Sequence, residues 1–437
     1  MRLESVICRV LFSAVLAPIS GAWSGALAQV ETFQVDVSSP RFTLYTDPNT
    51  GRELKLGGFS GLTAVPSDRT GRLFYVVTDR GPTVDFGATG KGFAVPDHAV
   101  SILTVQLQSN GSGKVLRVLP LRRPGGEPIH GVPSACHLDE SPVVDLNGNE
   151  LTHDPDGLDS EGLAVLSPGG IFCISDEYLP SVLFAGPGGQ ALLRLVPQGA
   201  VCGGEKVPTL DILPSVYRQR IANRGFEAIA VTREWKLYVI SQRPLANPDR
   251  AASQASRNIR VLELNLPRLL TGHGGAMRQL VYLTEVSSRQ DRVYVSDLAS
   301  LGGSKLIASE RRTDKVFILD VAQATDITAF EDSSGRLLSD PTRTIEQLSP
   351  AELAALGVVP VVKTLLHSGL TAIDPTLDKV EGLTVSRGRL VVCADNDFDL
   401  LDGDYTTTPA TLLFQEPSNT PRIITIALPP GSLPAGN

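Results

Sequence analysis

Glu161-Gly162-Leu163-Ala164-Val165, followed after a turn by the apolar run 171–177 that ends in Asp176-Glu177, decides the fold. The pattern returns as Glu227-Ala228-Ile229-Ala230-Val231 with 237–243, and as Glu381-Gly382-Leu383-Thr384-Val385 with 390–397. A fourth copy, Ser60-Gly61-Leu62-Thr63-Ala64-Val65 with 73–80, carries Ser in place of the acid. Each copy reads as an antiparallel hairpin. Recurrence of one hairpin at long intervals marks propeller blades rather than a short-period solenoid.

The hairpin also places the acids. Its first strand begins at the acid and its second ends at a polar cluster, so both lie at one end of the sheet. Glu161 is expected near Asp176 and Glu177, Glu227 near Gln242 and Arg243, and Glu381 near Asp395, Asn396 and Asp397. If these are inner strands around one axis, carboxylates and arginines gather at the mouth of a channel.

Further strand-like runs follow each hairpin: 100–107 and 114–120, then 182–184 and 191–196, then 259–264 and 279–283, then 411–414 and 422–427. A degenerate fifth unit runs through Asp297-Leu298-Ala299-Ser300-Leu301, 305–310, 316–321 and 359–366, with Asp297 in the acid's place and Glu310-Arg311 as its distal cluster. The expected fold is therefore all-β, a propeller of four-stranded blades with five countable. Room for a sixth exists in the amino-terminal strands or in 120–159. Ser349-Pro350-Ala351-Glu352 has the form of a capped helix start, a decoration inside the fifth unit.

Residues 1–28 read as a secretory signal: Arg2 and Arg9, an apolar stretch over 10–19, and Ala26-Leu27-Ala28 as cleavage site. The apolar stretch is short for a membrane span. Residues 29–437 are expected to form a single domain, exported to the periplasm or beyond the cell, monomeric and without stable membrane insertion. Loss of the leader moves the formal charge from −8 to about −9, which speaks against a nucleic-acid partner and suits a small anionic substrate held through cations. Of the cysteines outside the leader, Cys173 and Cys393 share one place in their repeats and read as buried thiols. Four cysteines allow three pairings, among which Cys136–Cys202 is one.

The acidic ring is the main chemical feature. Oxygen ligands from separate loops suit a hard cation such as Ca²⁺. Glu161, Asp176, Glu381, Asp395 and Asp397 are the expected metal ligands, and Glu161, Glu227 and Glu381 the catalytic carboxylates. A second reading of these glutamates is that they fix blade closure. Arg80, Arg243 and Arg311 are placed to take substrate oxygens in forked hydrogen bonds, or to pair with the acids. The oxygen-rich loop Asp145-Leu146-Asn147-Gly148-Asn149-Glu150 is either a second cation loop or a polar surface turn. His98 is an acid–base candidate or a structural histidine, and His130, Cys136 and His137 form a weak metal motif. No Gly-x-Ser-x-Gly elbow, His-Glu-x-x-His helix or phosphate-cradling Gly-Lys-Ser/Thr loop occurs.

The blocks 59–81, 159–178, 226–244, 297–311 and 380–398 resemble the phytase-like domain of exported bacterial proteins described as having an esterase-like activity of phytase. Ser160-Glu161-Gly162-Leu163 and Lys379-Val380-Glu381-Gly382-Leu383-Thr384 are also similar to segments of β-propeller phytases, which are six-bladed calcium-dependent phosphohydrolases. The resemblance implies six blades rather than five, Glu161 and Glu381 at a calcium or phosphate site, and calcium as cofactor. It implies hydrolysis of phosphate esters, inositol phosphates among them. A non-catalytic binding propeller of the cell envelope and a carboxylester hydrolase are the alternatives.

Overall fold

In the computed structural model, residues 29–135, 141–287, 292–401, 403, 405 and 410–434 are described. The expected leader, Cys136 and His137 lie outside them. Alternation of apolar and small residues drives the chain into short antiparallel strands, and these assemble as four-stranded blades.

The first blade is Phe59–Ala64, Leu73–Thr78, Ser101–Leu107 and Ser112–Pro120. The second is Ser160–Leu166, Ile171–Asp176, Ser181–Ala185 and Ala191–Pro197, with Thr209–Leu213 added in parallel at its edge. The third is Phe226–Val231, Lys236–Ser241, Asn258–Asn265 and Met277–Leu283. The fourth is Tyr294–Gly302, Lys305–Arg311, Lys315–Asp320 and Val362–Ser368. The fifth takes Val380–Ser386, Arg389–Ala394 and Arg422–Ala427 from the end of the chain and Val30–Asp36 from its beginning.

The first strands of these five blades pack side by side in a closed cycle, the fifth against the first. Six blades are therefore not what the described residues form. The amino-terminal strand that left room for a sixth instead completes the fifth, pairing Val30 with Ile426 and Gln34 with Arg422. Run 411–414, expected as a blade strand, contributes only a bridge between Phe414 and Leu400, and 422–427 takes its place. The 120–159 stretch gives Val143–Asp145, which joins Thr83–Phe86 and Gly90–Phe93 in a small sheet beside the mouth. The expected helix start is present as Pro350–Ala355, with Ser349 and Glu352 forming a reciprocal capping box.

Cores lie between neighbouring blades: Ala164, Cys173, Ile229 and Val239 share one, and Leu62, Phe74, Val391 and Cys393 another. Cys173 and Cys393 are free and buried there, and Cys202 is disulfide-bonded. The small residue after each acid has a reason. A Cβ on Gly61 would meet Glu161 O at 2.6 Å, and one on Gly162 would meet Ile229 N at 2.8 Å, so small residues let the inner strands approach.

Because the amino-terminal strand supplies the outer edge of the fifth blade, its apolar side chains bear on the whole ring. Phe33 is 4 % exposed and packs into the core shared by the first and fifth blades. Phe33→Ala is expected to lower unfolding free energy by about 3–5 kcal/mol, read from denaturant midpoints.

Candidate functional site

Every inner hairpin breaks register at the same place. Phe59 pairs with Thr78 and Gly61 with Val77, leaving Ser60 unpaired, and the shifts in the other blades fall at Glu161, Glu227, Ser296 and Glu381. A bulge turns the extra residue away from the alternating pattern and re-aims its side chain. The repeated acid is that residue. In the fourth blade its counterpart is Ser296, not Asp297. Asp297 lies one position on and accepts hydrogen bonds from Leu383 N at 2.6 Å and Leu298 N at 2.8 Å, tying the fourth blade to the fifth.

In each hairpin, the residue that follows the partner of the residue before the shift forms a second tier: Asp79, Glu177, Gln242, Arg311 and Asp395. Asp159 and Lys379, each just before its first strand, and Tyr294 supply a third. All of these line one cavity of about 260 Å³ together with Ser60, Glu161, Glu227 and Glu381. The expected convergence of Glu161, Glu227 and Glu381 on one mouth is thus present.

Other expected residues are placed differently. Asp176 is the last paired residue of its strand and faces the opposite way. It accepts bonds from Asp159 N at 3.2 Å, Tyr178 N at 3.1 Å and Ser181 Oγ at 2.8 Å, and lines a separate small cavity. Glu177 stands at the mouth in its place. Asp395 and Asp397 do reach the cavity, where Lys379 holds both, at 3.0 Å from Asp395. Arg311 pairs with Glu381, and Arg80 with Asp159 at 3.1 Å and with Tyr178 Oη at 3.2 Å. Arg243 is not among the lining residues; it stacks beyond them on Tyr294.

His98 is buried edge-on to Phe398 and does not line the cavity, and burial pushes its imidazole down to about 4. Asp145 spends its oxygens on Asn147 N and on Asn149 within its own turn, and Asp154 and Asp156 grip Arg123.

Two carboxylate triads stand out in the cavity. Asp79, Asp159 and Glu161 form one, and Glu161, Glu177 and Glu227 the other, with oxygens in each within 4.8 Å of one another. Glu161 belongs to both. Such crowding of like charge in a low-dielectric mouth favours protonation. Burial, then neighbouring carboxylates, raises Glu161 and Asp79 well above the ordinary carboxylate range. Burial likewise raises Glu227, against a bond from Gln242 Nε2 to its Oε1 at 2.7 Å. Burial lifts Glu177 to about 7 against Arg224, and Glu381 to about 7 against Arg311 and Lys379. Asp395 is lowered, because Lys379 and bonds from Asp397 outweigh its burial.

The residues fit a hard cation. All donors in the two triads are carboxylate oxygens, and Glu227 Oε2 is buried with no hydrogen-bond partner among the described residues. Such an atom is costly unless something positive meets it. Asp79, Asp159, Glu161, Glu177 and Glu227 are the set that would hold Ca²⁺ or a similar ion. Only Glu161 is shared with the ligands expected from the sequence.

Fold and site together define an all-β ring whose mouth is built from carboxylates in three tiers. The family model described as "Phytase-like: Esterase-like activity of phytase" matches residues 54–398, and the chain belongs to that family. No curated protein compared matches it. Among solved structures, it is similar to an oxidoreductase (glucose dehydrogenase) from Thermus thermophilus, at 13 % identity over 92 % of this chain and 98 % of that one, TM-score 0.34. The PQQ-bound aldose sugar dehydrogenase of Streptomyces coelicolor is 10 % identical over 88 % and 87 %, TM-score 0.31. A luciferin-regenerating enzyme is 10 % identical over 86 % and 94 %, TM-score 0.34. Likenesses at this level carry no argument about activity, and the ring is read from the strand pairing.

Raised carboxylate values bind protons more tightly in the folded protein than in the unfolded chain. Their contribution to stability is present below the unfolded value near 4.5 and lost as pH rises through about 7. With chelator present, the melting temperature measured by scanning calorimetry is expected to fall from about pH 5 to about pH 8, and calcium to restore it at the upper end.

Proposed function

We propose that this protein is an exported, monomeric hydrolase of phosphate esters, working with calcium or a similar divalent cation at the triads that share Glu161. The observation that carries the reading is the pooling of five carboxylates from three blades around one small cavity. Membership of the phytase-like family supports hydrolysis. Inositol phosphates are the finer candidate substrates.

Hydrolysis joins a water oxygen to phosphorus, breaks the ester P–O bond and releases the alcohol with a proton. A bound divalent cation supplies charge neutralisation on phosphoryl oxygens and acidifies water. The chain's own part is positioning and proton traffic. Glu381, outside the cation set and lifted by burial to about 7, is poised to accept or give a proton at neutral pH. Arg311, held by Glu381, and Arg80, held by Asp159, present fixed positive charge at the cavity wall. The absence of a Gly-x-Ser-x-Gly elbow in the sequence suits direct attack by water.

Phosphate release from aryl phosphate and phytate, beside acetate release from an aryl ester, each with and without chelator, tests the reading. Calcium-dependent phosphate release is expected, and Glu161→Gln should cut its kcat by about a hundredfold or more with the circular dichroism spectrum unchanged. Acetate release alone would show a carboxylester hydrolase, and inactivity on all three a binding propeller.

The cation must displace protons from Asp79, Glu161 and Glu227, all raised by burial, and from Glu177 at about 7, so calcium affinity is expected to rise as pH climbs through about 7. Calorimetry in buffers of different ionisation enthalpy should register proton release on binding.

A further inference from the structure

In the register of the hairpins, the residue two past the partner of the residue before each bulge is Arg80, Tyr178, Arg243, Arg312 and Asn396 in blade order. Four of the five are satisfied by the protein. Arg80 meets Asp159, Tyr178 donates to Gly131 O at 2.8 Å, Arg312 meets Asp378 at 2.9 Å, and Asn396 accepts from Gly58 N at 2.8 Å. Arg243 forms no hydrogen bond or ion pair among the described residues, although it is only 6 % exposed. Its guanidinium lies 5.3 Å from the centre of the Tyr294 ring, and Arg224 lies 5.9 Å from the same ring.

The surroundings deepen the anomaly. Arg224, Arg250 and Arg292 all lie close enough to bear on the charge of Arg243. Burial first, and these arginines with it, hold Arg243 below the ordinary guanidinium value, against Tyr294. Asp249, next to Arg250, spends a carboxylate oxygen on Ala252 N at 2.8 Å as a helix cap. A buried cation without a carboxylate costs stability unless an anion meets it. A guanidinium with open donors takes an oxyanion in a planar, forked pair of hydrogen bonds.

We propose that Arg243, with Arg224, Arg250 and Arg292 around it, forms an oxyanion site beside the carboxylate cavity that receives a phosphate or carboxylate group. Arg224 connects the two places: it lines the cavity, pairs with Glu177 at 3.4 Å and shares Tyr294 with Arg243. The anion is either a second acidic group of a molecule held in the cavity or a free ion. This site stands whether or not the cavity hydrolyses esters.

The test is calorimetric titration of the full chain with inorganic phosphate in chelator, where the carboxylates carry no cation to attract the anion. The wild type is expected to bind, Arg243→Gln to weaken binding about tenfold or more, and Arg292→Gln, on the exposed rim, to weaken it about threefold. Failure of the wild type to bind phosphate, or equal binding by all three proteins, overturns the proposal. Arg292→Gln keeps the result decisive if the buried substitution harms folding. With calcium present, propanediol bisphosphate is compared with propyl phosphate. A KM about tenfold lower for the bisphosphate, lost in Arg243→Gln, assigns the site to the second group of a substrate. Equal KM values with phosphate binding intact assign it to a free anion.

Discussion

The β-bulge at the head of each inner strand is the constraint on which the site depends. In a regular strand, successive side chains alternate between faces, and an acid at the head of the strand would face a neighbouring blade. One unpaired residue breaks that alternation, and the repeated acid sits on it in the second, third and fifth blades. The shift also decides which residue of the returning strand reaches the mouth. Glu177 and Arg311 do, and Asp176 and Glu310, one position earlier, do not.

The ring is electrostatically lopsided. The first three blades contribute Asp79, Asp159, Glu161, Glu177 and Glu227, which crowd one another, and burial raises Asp79, Glu161, Glu177 and Glu227 above the ordinary carboxylate range. The fourth and fifth contribute Arg311 and Lys379, which neutralise Glu381, Asp395 and Asp397. Arg80 and Arg224 stand against five carboxylates in the first half, and Arg311 and Lys379 against three in the second, so the first half is the one that calls for an added cation. Desolvation makes this division sharp, because an unpaired charge in a small buried cavity is expensive and an ion pair there is held firmly.

Much of this is legible in the chain. Hairpin recurrence gives the propeller, and apolar periodicity gives nearly all blade strands, down to the degenerate unit around Asp297. The gathering of Glu161, Glu227 and Glu381 follows from strand direction alone. What the residues conceal is the bulge, since one unpaired position leaves no trace in composition; hence the pattern points to Asp176 where Glu177 stands, and to Asp297 where Ser296 stands. Asp79 and Asp159 are legible only by aligning every copy on its last paired residue. The sixth blade, implied by resemblance, gives way because the first strand of the chain is consumed in finishing the last blade.

That borrowed strand joins Val30–Asp36 and Arg422–Ala427, nearly four hundred residues apart in sequence, into one element, with Val30 opposite Ile426. No portion that lacks either of these strands holds a complete circle, so a growing chain carries open sheet edges until 422–427 arrives. Loop-closure entropy is then met late, so assembly belongs among slow, long-range processes. Unpaired edges in the interim are templates for association with other chains. Removing Val30–Asp36 or Arg422–Ala427 thus acts on every blade at once, since it opens the seam that holds the circle shut.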